Sequence, residues 1–148
     1  MLHPAPTTKL PTGVTRGVLA ESHDATATRP AFLVLEFYNT DYRIHLQPQG
    51  TISAQLGKRI EGIVRADARR VDSVGAGGRY VEPVEGRPRR VQGTVVDTDS
   101  SSNTITVNAG VPMVLRLTDQ RQRASDFEVG DFITCATMAG ATFEQKQS

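Results

Sequence analysis

Two stretches of this sequence run through the same order of features at nearly constant spacing, and neither carries a helical period. The first opens Arg16–Gly17–Val18–Leu19–Ala20–Glu21 and the second Gln92–Gly93–Thr94–Val95–Val96–Asp97, each a glycine, a few apolar residues and a closing acid. A polar turn follows in both, over 22–30 and 98–103. Then comes a strand-like run, Ala31–Phe32–Leu33–Val34–Leu35–Glu36–Phe37, answered by Thr104–Ile105–Thr106–Val107–Asn108, whose strict alternation is the mark of a half-buried strand. A hairpin turn leads to Tyr42–Arg43–Ile44–His45–Leu46 and to Met113–Val114–Leu115–Arg116–Leu117. The last runs begin at Leu56–Gly57–Lys58 and Val129–Gly130–Asp131.

The offset between these pairs drifts only from 76 residues at Gly17 and Gly93 to 73 at Gly57 and Gly130. The gaps fall in polar turns, where insertions cost least. An internal duplication of a strand-rich half is therefore expected. Polar turns recur at short intervals, so the chain is expected to be all-β.

The halves meet at Gly75–Ala76–Gly77–Gly78, followed by a stretch containing Pro83 and Pro88. Glycines favour a loop and prolines an extended segment. The expected organisation is a disordered lead-in over 1–12, a first half over 13–74, a linker over 75–88 and a second half over 89–145. A lone core of about 60 residues is marginal, so the halves are expected to pack together.

Four or five short strands per half, with a glycine early in the first, suit a small closed barrel, because glycine lets a strand bend between both barrel edges. Each half thus resembles the OB-fold, or its relative the SH3-like barrel. The resemblance rests on strand order and glycine placement, and a sandwich built from both halves is the rival arrangement.

Composition and motifs narrow the chemistry. Of 148 residues, 17 are basic and 16 acidic, giving a formal charge of +1. Duplex-DNA binders draw affinity from a clear positive excess, so any nucleic-acid role here must rest on a local patch. Cys135 is the only cysteine, which allows no internal disulfide, and it lies in an apolar run. His3, His23 and His45 form no H-x-x-x-H pair, and His45 alternates with Ile44 and Leu46 toward the solvent face of its strand. The acidic run from Asp97 lacks the sixth-position glycine and the twelfth-position glutamate of a calcium loop. Ser22–His23–Asp24 holds three catalytic residue types, but adjacent residues in a loop do not converge on one another. No catalytic, metal or cofactor site is expected, and no enzyme. No run approaches the roughly 20 apolar residues that span a bilayer, and a cytoplasmic location without membrane contact is expected.

One local patch remains. Arg65, Arg69, Arg70, Arg79, Arg87, Arg89 and Arg90 stand within 26 residues, with Asp67, Asp72, Glu82 and Glu85 among them. Arginine's planar fork suits phosphate, and single-strand binders add aromatic platforms for bases. Phe32, Phe37, Tyr38 and Tyr42 lie on or near the second and third strands, the face that OB-folds use for oligonucleotides. The first expectation is a non-enzymatic interaction or scaffold module that pairs a strand edge with a protein partner or with itself. The alternative is a binder of single-stranded nucleic acid, using Tyr38, Tyr42, Arg43, Arg87, Arg89 and Arg90.

Overall fold

Alternating burial along nearly every segment makes strands of this chain. In the computed structural model, which describes residues 10–146, 11 strands follow one another with a single short 3-10 turn. They are β1 (Thr15–His23), β2 (Phe32–Phe37), β3 (Arg43–Pro48), β4 (Arg59–Ser73), β5 (Tyr80–Glu82), β6 (Glu85–Gly86), β7 (Arg90–Asp99), β8 (Thr104–Asn108), β9 (Pro112–Leu117), β10 (Phe132–Thr137) and β11 (Thr142–Gln145). No α-helix occurs among the described residues, and no helix there is long and apolar enough to cross a membrane. The lead-in expected over 1–12 lies outside the described residues except for its last three positions, and so does His3.

The expectation of an all-β chain holds, in the form of one large mixed sheet. Its pairings return on themselves twice. β1 pairs with β2, β2 with β3, β3 in parallel with β11, β11 with β4, and β4 with β1 again. Likewise β7 pairs with β8, β8 with β9, β9 in parallel with β4, β4 with β10, and β10 with β7. The 15-residue β4 belongs to both circuits: 59–65 lies against β1 and β11, and 65–73 against β9 and β10. Hydrogen bonding therefore does not divide at the expected linker, because β11 closes the circuit of the first three strands. Residues 75–88 themselves carry β5 along β7 and β6 along β3.

Two glycines explain how β1 and β7 each serve two neighbours. A Cβ on Gly17 would stand 2.3 Å from the Glu36 carbonyl oxygen, and one on Gly93 would stand 2.1 Å from that of Asn108. Only a residue without Cβ permits strands so close. Two positions later each strand bulges, between Leu19 and Glu21 and between Val95 and Asp97, which sharpens the local bend. Each bulge is pinned by a pair of backbone bonds. Leu19 N donates to Lys58 O and Gly57 N to Leu19 O; Val95 N donates to Asp131 O and Gly130 N to Val95 O.

The inward residues of both circuits make one continuous core, from Leu35, Phe37 and Ile44 through Val64 and Phe143 to Ile105, Leu115 and Ile133. β4 feeds it every second residue from Ile60 to Ala68, then breaks period at Arg69 and Arg70, which are both exposed where its register with β10 slips.

Candidate functional site

The outward side of β1, β2 and β3 carries a row of polar and aromatic residues. The ring of Phe32 stacks on His23 at 4.5 Å between centroids and on His45 at 5.0 Å. Their positions follow from register, since His23 faces Phe32 across β1–β2 while His45 faces Val34 across β2–β3. The guanidinium of Arg29, in the loop between β1 and β2, stands 4.5 Å over the Phe32 ring. A cation in this position is worth about 0.5–1 kcal/mol at an exposed site.

Beside this stack lies a cavity of about 390 Å3. It is lined by Phe32, His45 and Gln47 of β2 and β3, by Arg29 and Pro30 ahead of β2, by Ala139, Gly140 and Ala141 ahead of β11, and by Arg87 and Arg89. Among the described residues, Arg29, Arg87 and Arg89 have no carboxylate partner. The backbone that carries Arg89 is held firmly. Arg89 N donates to Glu82 O at 2.8 Å, Arg89 O accepts from Thr137 N at 2.9 Å, and the Thr137 hydroxyl donates to Pro88 O at 2.9 Å. Two arginines on a clamped segment thus reach a groove formed by strands some 40 residues earlier in the chain.

At the other end of the same face the charge is spent internally. Arg43 is bound by three carboxylates: Glu21, Glu36 at 2.9 Å and Glu85 at 3.2 Å. These bonds raise its pKa further, led by the Glu36 hydrogen bond. The Glu21 carboxyl is held below the usual range, first by its 2.7 Å bond to His23 Nε2 and then by Arg43. His45 is shifted downward, chiefly because burial disfavours its charged form; Arg29 and Arg43 push the same way, against Glu85 and Glu21.

The residues singled out from sequence are brought together only in part. Arg87 and Arg89 both line the cavity. Tyr38, just beyond β2, is half-buried and does not line it. Phe37 is sealed in the core at 1% exposure. Tyr42 is a tie between segments: its hydroxyl accepts from Val81 N at 2.9 Å and donates to Ala109 O at 3.1 Å. Arg43 faces the carboxylates just described. Arg90 opens β7 beyond the cavity, and Arg79 precedes β5. Arg65 bonds Glu144 and Arg70 bonds Asp72. Arg29 and His23 were not read from sequence as part of a site. The only signal for them was their place beside Phe32 across a polar loop.

Compared with known proteins, the chain matches no family model, no curated protein and no solved structure.

Proposed function

We propose that this chain is a non-enzymatic binding module of two interlocked OB-like barrels, and that the first barrel takes single-stranded nucleic acid in the Phe32–His45 cavity. In this reading the two circuits are the barrels, each with five strands, and they arose from one duplicated half. The repeated registers support it. Leu19 faces Leu35 as Val95 faces Val107, and His23 faces Phe32 as Asp99 faces Thr104. Gly17 faces Ile60 as Gly93 faces Ile133. The fifth strands are exchanged: β11 closes the first circuit, and the far half of β4 closes the second.

The observation that carries the function is the presence of Arg29, Arg87 and Arg89 together with Phe32 and His45 in the lining of one cavity. OB-folds bind oligonucleotides on strands two and three, between the loop joining strands one and two and the loop before strand five. Arg29 and Pro30 occupy the first loop position, and Ala139 to Ala141 the second. Guanidiniums supply charge-assisted bonds to phosphates; because His23, His45 and Arg29 already lie on the Phe32 ring, a base gains stacking there only by displacing one of them. A local charge of about three suits a short single strand; the overall charge of +1 does not suit duplex binding.

Docking to a protein through an open strand edge is less well supported. Nine of the 11 strands have partners on two sides, and the two with a single partner, β5 and β6, are only three and two residues long.

The test is fluorescence anisotropy with labelled oligo-dT and oligo-U at low and moderate salt. Saturable binding is expected, with log affinity falling against log salt at a slope of about −2 for three phosphate contacts. The double change Arg87→Ala, Arg89→Ala should weaken it at least tenfold. Unchanged affinity in that variant would remove the cavity as the site.

A further inference from the structure

A second cavity, of about 370 Å3, occupies the same place in the other circuit. Register makes the equivalence explicit. Thr104 faces Asp99 as Phe32 faces His23. Val114 faces Thr106 as His45 faces Val34. Arg116 lies beside Asp67 on the parallel neighbour, as Gln47 lies beside Thr142. Both cavities are lined by Gly140, where they meet, and a Cβ there would touch nothing within 4 Å.

Their chemistry differs at each of these positions. Thr104 and Val114 stand where the first cavity has a ring and an imidazole. The guanidiniums of the second are already engaged. Arg116 donates to both oxygens of Asp67, at 2.9 and 2.8 Å, and Arg65 donates to Glu144 at 2.7 Å. A guanidinium paired with a carboxylate offers a phosphate no net charge and fewer free donors. Such exposed pairs contribute little to stability, so they act on the local field far more than on the fold.

We infer that Asp67 and Glu144 limit the binding footprint: a strand held in the first cavity makes its last contacts at Gly140, and the second cavity takes none. This rests on the nucleic-acid reading of the first cavity. The fold offers two equivalent places, and the charge pattern arms one of them.

The experiment is calorimetric titration of the full chain with dT4, together with anisotropy using dT4 and dT12. One dT4 per chain is expected. Arg116→Ala should bind both lengths within twofold of the parent. Asp67→Asn, which frees Arg116, should bind dT12 about threefold tighter and steepen its salt slope by about 0.7 for the added phosphate contact. Its dT4 affinity should stay unchanged, which separates a longer footprint from a general gain of positive charge. Two dT4 per chain, a loss of affinity in Arg116→Ala, or an unaltered dT12 affinity in Asp67→Asn would overturn the inference and leave the first cavity standing. Failure of the unaltered chain to bind either oligonucleotide at low salt would overturn both. The stoichiometry is read on the unaltered chain, so that arm does not depend on how a variant folds.

Discussion

The ring of Phe143, in the last strand, lies so close to Gly62 in β4 that a Cβ on Gly62 would stand 2.5 Å from Phe143 Cζ and 2.2 Å from the Glu144 carbonyl oxygen. The two residues form the seam at which the end of the chain closes the circuit begun by β1. Phe143 has 0% exposure, and truncating a buried phenylalanine to alanine costs about 3–5 kcal/mol. Phe143→Ala should shift the urea midpoint by that equivalent. Gly62→Ala should also destabilise, since the carbonyl it would strike belongs to a paired strand. A loss below about 1 kcal/mol in Phe143→Ala would mean that the seam relaxes around the void.

Tyr42→Phe tests the tie between β3, β5 and the turn after β8. Val81 is buried at 1% exposure, and its N–H donates to the Tyr42 hydroxyl. Without the hydroxyl this donor is left buried and unpaired, at a cost of about 1–3 kcal/mol. Denaturant unfolding should show that loss, and the Val81 amide should exchange hydrogen faster. Oligonucleotide affinity should hold, because the hydroxyl points away from the cavity toward Ala109 and Val81. A variant as stable as the parent would mean that the Val81 N–H has found another acceptor.

The stability of the chain should fall in two steps as the pH is lowered. His45 is protonated less readily in the fold than its ordinary value of 6.5 allows, chiefly through burial. The unfolded chain therefore binds more protons below about pH 6.5, and stability that is complete above this value declines as the pH drops toward the lower folded-state pKa. Glu21 is also depressed, from 4.5, led by its bond to His23. Its contribution is complete above its ordinary value and lost as the pH falls through the folded-state one. Melting temperatures between pH 8 and pH 3 should show both declines, and His45→Gln should remove the upper one. A flat profile from pH 7 to pH 5 in the parent would contradict the burial of His45.

Much of the strand pattern was legible in the sequence, because alternation and turn residues are local signals. β8 coincides with the run from Thr104 to Asn108, and β2 and β9 begin within one residue of the expected runs. The extension of β4 through Ser73 was not legible. Its first inward residues there, Ala66 and Ala68, are small and set among charges, and the next, Val71, falls out of the alternating period; they become core only beside β9 and β10. Nor could local pattern reveal that β11 pairs with β4 about 80 and β3 about 95 residues earlier, or that β3 and β9 match two residues away from where their sequences align best. The arginine run from Arg65 to Arg90 is continuous in sequence and divided in space, because strand alternation sends neighbours to opposite faces. Among the described residues, Arg87 and Arg89 are distinguished from Arg43 and Arg65 by having no carboxylate in an ion pair with them, and the partners of Arg43 and Arg65 are brought there by strand pairing.

Cys135 provides a probe of the joined circuits. It has 1% exposure on β10, between β4 and β7, and burial pushes its thiol up to about 12. Arg90 pulls the value down and Asp72 pushes it up, both by less than the desolvation. The thiolate is the reactive species, so at pH 8 the folded chain should resist a thiol reagent while the urea-unfolded chain reacts at once. Because β10 is hydrogen-bonded on both sides, modification of the native protein should require opening of the whole sheet. Its rate, measured across sub-denaturing urea, should then track the global unfolding free energy with the same slope. A fast, urea-independent reaction would show that β10 opens locally and that the two circuits do not unfold as one unit.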